Sequence, residues 1–131
     1  MANAPALEGA SAVVEWFGIW PSFHDCEVIG VDLRRHEVSR LQIHAFIALP
    51  TQTHPPSFDL AKHALVTFSF VDIVFLELAG EDFHRQNVIR RLGVTKSDST
   101  TSVEWSSSYG LAGRIEARHV SVSLVGGIPT G

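Results

Sequence analysis

The chain contains a single cysteine, which excludes an internal disulfide framework. It also has no apolar run of the about 18 to 20 residues that a membrane-spanning helix needs. Basic residues are not in excess, since 10 Lys and Arg stand against 14 Asp and Glu and the formal net charge is −4. A nucleic-acid-binding surface is therefore not expected. The N-terminus lacks the positive and long apolar regions of a secretion signal, so we expect a soluble, cytoplasmic protein with no membrane partner.

The composition is that of an ordinary globular domain. The chain has 131 residues, of which 45% are hydrophobic and 18% are charged. This length suits one domain with its own core and is too short for two. We expect residues 1–10 to form a loose N-terminal segment and residues 11–131 to form a single globular domain.

Hydrophobic residues alternate with polar ones along most of the chain, which predicts about six strands. In the first strand, Ile29, Val31 and Leu33 are expected on the buried face. Asp72 is expected in a tight turn that joins strands 64–70 and 73–79 into a hairpin. Near the end of the chain the alternation changes parity, which predicts a bulge or bend at Arg118-His119.

Two segments have helical patterns. Residues 11–17 predict a short helix with Ser11 as its N-cap and Gly18 as its end. Residues 81–92 are ambiguous and could form a second helix, because acids begin the segment and arginines end it. The predicted fold class is therefore α+β: a mainly antiparallel sheet of about six strands, which could curl into a half-barrel, with one or two short helices.

The segment Trp16–Val28 carries the densest cluster of chemically active residues. It holds four aromatic residues, a proline, and the titratable residues His24, Asp25 and Glu27. A metal site normally needs three or four ligands, and the spacings typical of metal sites are missing from the sequence. The alternative is that His24 and Asp25 bond loop backbone and hold the segment in place. We therefore expect neither a metal nor another cofactor.

Nucleophilic catalysis has little support. The carboxylates on either side of Cys26 should keep its thiol protonated. The serines at 106–108 lack the G-x-S-x-G pattern of a nucleophile elbow. We expect no enzymatic activity.

Aromatic residues near the predicted loop junctions could form a binding surface. A shared patch with His24 and Asp25 would present large aromatic anchors, which dominate the energetics of many interfaces. The alternative is that these rings cap the ends of the core. The aromatic residues concerned are Trp20, Phe23, Trp105 and Tyr109.

Three blocks of sequence resemble the Immunity protein 50 family. The first is Phe17–Val28, with the pattern W-P-S-F-H-D-x-E, and the others are Gln86–Ile89 and Ser107–Leu111. Cys26 stands where a small residue such as alanine is expected. The resemblance implies a bacterial, cytoplasmic protein that binds the cognate toxin domain of a polymorphic toxin system and blocks it. On physical grounds we expect the block to be occlusion by a rigid β-rich face, without catalysis. The residues at the family's motif positions, and so the candidate partner-binding residues, are Trp20, Phe23, His24, Asp25, Glu27 and Tyr109.

A second hypothesis comes from the same residues. A small metal- or ligand-binding β-rich domain, such as a hydrolase, could use His24, Asp25 and Glu27 together with a strand histidine, His44 or His119. The identity of the toxin and the oligomeric state are open at this point.

Overall fold

A computed structural model describes residues 4–50 and 58–129. One helix and six strands follow each other along the chain: α1 (Ala10–Phe17), β1 (Glu27–Asp32), β2 (Ser39–Pro50), β3 (Phe58–Ala79), β4 (Val88–Lys96), β5 (Thr101–Tyr109) and β6 (Ala112–Gly126). All neighbouring strands pair antiparallel, in the order β1-β2-β3-β6-β5-β4, and β4 returns to β1. The predicted α+β class and the curling of the sheet are confirmed, and the pairings form a ring.

The helix α1 lies between two glycines in the left-handed region. Gly9 is the N-cap with φ 90°, and Gly18 ends the helix with φ 86° and donates to the carbonyl of Val14 at 2.7 Å. The end at Gly18 was predicted, but Ser11 as N-cap is wrong. The reason is that a Cβ at position 9 would collide with the carbonyl of Val122, so only glycine allows the helix to begin this close to β6.

The hairpin predicted at Asp72 is wrong, because β3 is a single strand of 22 residues. Asp72 has φ 59°, a conformation that Asp tolerates better than most residues. The strand bends there without reversing, since β6 pairs with it on both sides, at Phe70↔Val120 and Ile73↔Ala117.

The change of parity predicted in β6 is confirmed. Ala117 and Val120 are buried, whereas Arg118 and His119 between them are exposed. Residue 118 lies opposite Asp72 in the ladder. The two long strands therefore bend together at this point.

Two further predictions are corrected by the strand pairing. Residues 81–92 do not form a helix; a turn at 83–85 leads into β4. In β1, Val28 is buried whereas Ile29 is 36% exposed, because the register shifts between Val28 and Gly30; Leu33, which follows β1, is 41% exposed. In both places long-range pairing prevails over the local pattern.

The core lies inside the ring. The inward faces of β2 and of the first half of β3 are fully buried, and α1 adds Ala10, Val13 and Phe17. The inward residues of these two strands are Leu41, Ile43, Ala45, Ala64, Val66, Phe68 and Phe70. Among residues 4–50 and 58–129, there is no helix with the length and hydrophobicity that a bilayer span requires.

The ring closes at a short seam between residues 25–28 and 87–89. Asp25 donates its N–H to the carbonyl of Ile89 at 2.9 Å, and Ile89 donates to the carbonyl of Cys26 at 2.8 Å. Val28 donates to the carbonyl of Asn87 at 2.9 Å. The first two sequence blocks that resemble the family therefore meet at this seam.

The side chain of Asn87 ties the seam to the third block. Its amide donates to the carbonyl of Phe83 at 2.6 Å and accepts from the N–H of Leu111 at 3.0 Å. Gly110 has φ 82°, and a Cβ there would collide with Asn87 and with the carbonyl of Gln86. Asn87 and Gly110 therefore help to hold the ring closed.

Replacing the amide of Asn87 should weaken this closure measurably. Asn87→Ala leaves the Leu111 N–H without its acceptor, so we expect the free energy of unfolding to fall by about 2 kcal/mol. The exposed neighbour Gln86 is the control, and Gln86→Ala should change the free energy of unfolding by less than about 0.5 kcal/mol. Urea denaturation of the two variants gives the comparison; equal losses would contradict this role of Asn87.

Candidate functional site

The sequence motif borders an open groove of about 620 Å³ on the outside of the ring, which we call the motif groove. One wall comes from the segment before β1, and the other comes from β2, β3 and β4. Its lining residues are Ile19, Trp20, Pro21, Ser22, His24, Asp25, Phe46, Ile47, Ala48, Leu60 and Leu92.

The backbone of the motif directs two of its side chains into the core and the two between them outward. Phe23 has φ 62° and Asp25 has φ 67°, and the N–H of Cys26 donates to the carbonyl of Phe23 at 3.0 Å. As a result, Phe23 and Cys26 are buried, whereas His24 and Asp25 are exposed. A positive φ is costly for a bulky residue. Burial of the Phe23 ring offsets this cost.

Trp20 forms the boundary between the core and the motif groove. Its ring packs edge-on against Phe23, with centroids 5.6 Å apart, and against Phe68 at 6.4 Å. The other side of Trp20, which is partly buried, lines the groove. Such packing fixes the rotamer of an aromatic side chain before any partner arrives.

Two of the aromatic residues expected on the binding surface belong to the core instead. Phe23 is only 1% exposed and Trp105 only 2% exposed. The prediction of an exposed patch is therefore wrong for both. Phe23 faces inward because the left-handed turn at residues 23–25 directs the neighbouring His24 outward.

His24 and Asp25 lie against each other, both exposed, at the rim of the motif groove. The His24 Nδ1 and Asp25 Oδ2 atoms are 3.4 Å apart, and the two side chains are 60% and 66% exposed. Exposed pairs of this kind contribute little to stability. Both side chains can therefore reorient toward a partner at small cost.

Glu27 and Tyr109 lie beyond the motif groove on the outer face of the ring. Glu27 is paired with His44 on one side and with Val88 on the other, and Val88 is paired with Tyr109. Residues directly opposite each other share a face of the sheet. Tyr109 is 63% exposed and lines a separate depression with Glu81 and Asp82. Of the six candidate residues, the groove thus collects Trp20, His24 and Asp25.

Sequence reasoning missed the far wall of the motif groove. Phe46 lies on the otherwise polar face of β2, and Leu60 lies near the start of β3 with 53% of its surface exposed. A large apolar residue on the polar face of a strand was the available signal for Phe46. For Leu60 the sequence contained no comparable signal.

Cys26 is fully buried under the motif, and its thiol contacts the carbonyl of Phe46 at 3.6 Å. Burial, with a smaller contribution from the nearby Asp25 carboxylate, raises the pKa of this thiol to about 11, although the hydrogen bond with the Phe46 backbone acts in the opposite direction. The sulfur is therefore protonated near neutral pH, as the sequence predicted. A buried, protonated thiol is a poor nucleophile.

A histidine pair lies next to Phe46 on the outer face. His44 Nε2 and His63 Nδ1 are 3.0 Å apart, and both rings pack against the ring of Phe46. Burial lowers the pKa of His44, and the neighbouring His63 lowers it further, whereas Glu27 opposes the shift. The neutral form of His44 is therefore favoured in the folded protein.

The proposed ligands of a metal site do not assemble in the described structure. Within residues 4–50 and 58–129, no group of three or more His, Cys, Asp or Glu side chains could hold a metal ion. His44 contacts His63, and His119 contacts Glu8 at 3.7 Å. The hypothesis of a metal-dependent domain gains no support from this geometry.

A comparison with known protein families gives a match over most of the chain. The family model described as Immunity protein 50 matches residues 9–127, a range that includes α1 and all six strands. No curated protein and no solved structure matches the chain.

The inward and outward residues of the motif should differ sharply in their effect on stability. Phe23→Ala empties a core site, and we expect it to lower the free energy of unfolding by about 3 to 5 kcal/mol. His24→Ala, one residue further along, should lower it by less than about 0.5 kcal/mol. Chemical denaturation measures both values. A large loss for His24→Ala would show that the exposed half of the motif is structural.

The lowered pKa of His44 predicts a loss of stability in acid. The unfolded chain binds this proton more readily than the folded chain, so the contribution of neutral His44 is complete above the unfolded pKa of 6.5 and is lost as the pH falls below it. When the pH is lowered from about 7.5 to about 5.5, the melting temperature of His44→Gln should therefore fall less than that of the wild type. The exposed His36 is the control, and His36→Gln should keep the wild-type profile. Identical profiles for His44→Gln and the wild type would contradict the prediction.

Proposed function

This chain belongs to the Immunity protein 50 family, and we propose that it binds a cognate toxin protein and neutralises it by occlusion, without catalysis of its own. The family match carries this proposal, because it extends over α1 and every strand rather than over the motif alone. Membership supports an immunity role. The toxin partner, the contact face and the mode of inhibition are our inferences from the surface of the protein.

The motif groove is our candidate for the contact face. Trp20 is held on Phe23 and Phe68, so an aromatic anchor is in position before the toxin binds. Preorganised side chains lose less entropy on binding. Around Trp20 the groove exposes apolar surface, with Ile19 at 54% and Leu60 at 53%. An aromatic and apolar centre is typical of the energetically dominant part of an interface.

The rim of the motif groove supplies polar and charged groups. His24 and Asp25 are exposed there, and Glu27 lies on the same outer surface of the ring. Glu81 and Asp82 add acidic groups beside Tyr109. With a net charge of −4 for the whole chain, these groups favour a toxin with a basic contact surface. Complementary charge accelerates association and makes the rate dependent on salt.

Occlusion is the simplest way for such a surface to inhibit a toxin. The protein would cover the toxin's functional surface with a stable sheet, so no bond in the toxin needs to be made or broken. The chemistry of Cys26 is consistent with this proposal, because the one thiol in the chain is buried and protonated. We place this action in the bacterial cytoplasm, where an immunity protein would meet a toxin made in, or delivered to, the same cell.

Survival of bacteria that produce the toxin tests the proposal. The toxin region of the neighbouring reading frame would be expressed with and without this protein, and we expect survival only with it. Leu60→Glu places a charge on the apolar wall of the groove. It should weaken toxin binding by about tenfold or more, measured by calorimetry on the purified proteins.

The matched control is Val125→Glu. Val125 is also a strongly exposed apolar residue, at 67%, but it lies outside the motif groove. This variant should bind the toxin like the wild type, and both variants should keep the wild-type melting temperature. Cell death despite the protein would refute the immunity role for that toxin. If the protein rescues the cells but Leu60→Glu and Val125→Glu bind the toxin equally well, the immunity role would stand and the contact face would lie outside the motif groove.

A further inference from the structure

The second half of β3 has an open edge. β2 pairs with β3 from Phe58 to Phe70 and begins at Ser39, opposite Phe70. β6 pairs with the other edge of β3 as far as Ala79. In the part of the chain that the structure describes, no strand pairs with the β2-side edge of β3 over residues 71–79. We call this edge, from Ile73 to Ala79, the open edge.

Large apolar side chains are exposed along the open edge. Val74, Phe75 and Leu76 are 47%, 41% and 44% exposed, and Leu33 across from them is 41% exposed. Together with Arg34 and Arg35, they line a groove of about 450 Å³ between the open edge and the connection from β1 to β2. Apolar edge strands tend to pair with another strand.

The opposite edge of the same sheet has a different character. It is formed by β4, which carries Arg90, Arg91 and Lys96. Charged residues on an edge strand discourage pairing with other strands. The open edge has only one charged residue, Glu77, between Ile73 and Ala79. The β3 edge is therefore the more suitable of the two for association.

We propose that a second copy of this chain pairs with the open edge, with the two β3 strands antiparallel about a two-fold axis. A two-fold interface must be complementary to itself. In a register centred on Phe75, Glu77 of each copy lies opposite Ile73 of the other copy rather than opposite the like charge of Glu77. Arg34 and Arg35 line the groove beside Ile73. Arg34 is already bonded to Asp32 at 2.9 Å, so each Glu77 carboxylate is brought toward the guanidinium group of Arg35 in the other copy. This charge complementarity favours a second copy over an unrelated strand.

The same geometry limits the assembly to two chains. Pairing uses the open edge of both copies at once, so a dimer leaves no further copy of this edge free for a third chain. The dimer carries two motif grooves, one from each chain, and its existence does not depend on the proposed function.

Sedimentation equilibrium over a wide concentration range tests the proposal. We expect a mass of twice the 14.3 kDa chain at high concentration and a decrease toward the single-chain mass on dilution. Val74→Lys should keep the protein at the single-chain mass throughout, because it adds a charge at the open edge close to Arg34 and Arg35. Val74 is exposed and lies at the register shift between β3 and β6, so the fold should tolerate the change. Leu76→Lys is a second variant with the same expectation.

Val125→Lys is the matched control, since it makes the same substitution at an exposed valine outside the open edge. It should associate like the wild type. Circular dichroism melts show whether each variant is folded. A wild type that keeps the single-chain mass at every concentration would overturn the proposal, and so would a dimer that persists in folded Val74→Lys and Leu76→Lys.

Discussion

The backbone pairing between residues 25–28 and 87–89 is the constraint on which the rest of the structure depends. Three short hydrogen bonds join β1 to β4 at this seam, and without them the sheet would be open between these two strands. Buried backbone groups need partners. The pairing therefore fixes the position of the segment before β1. Asn87 extends the seam to the turn at Gly110, so all three sequence blocks shared with the family contribute to one closure.

The seam also explains how one motif can serve both stability and recognition. Left-handed residues at 23 and 25 send Phe23 and Cys26 into the core and leave His24 and Asp25 outside. Trp20 connects the two sides, because it packs on Phe23 and also lines the motif groove. A change inside the motif would thus alter the position of the proposed contact residues. Because the inward side chains serve stability and the outward ones are available for recognition, substitutions can test the two roles separately.

The proposed toxin-binding and self-association surfaces lie on different parts of the ring. The motif groove is formed by the segment before β1 and the far ends of β2 and β3, whereas the open edge begins where β2 ends beside Phe70. The bend at Asp72 separates the two halves of β3. Because β3 is much longer than β2, it takes part in the closed ring and still presents an unpaired edge. The length of this one strand creates both surfaces.

The sequence by itself determined the α+β class, the end of α1 at Gly18 and the parity change in β6, because these follow from local periodicity and backbone preference. The expected count of about six strands also agrees, but only because the two strands predicted on either side of Asp72 are one strand and β4 was not predicted as a strand. The sequence also indicated Trp20, His24 and Asp25 as candidate partner-binding residues, and the structure brings these three together in the motif groove. Only the tertiary structure decided that the chain continues through Asp72, that residues 88–92 form a strand, and that Phe23 is buried. A left-handed residue can reverse a chain or bend it, and the neighbouring strand selects between these outcomes. Likewise, the inward direction of Phe23 depends on the pairing of Asp25 and Cys26 with Ile89, a partner that no local pattern identifies.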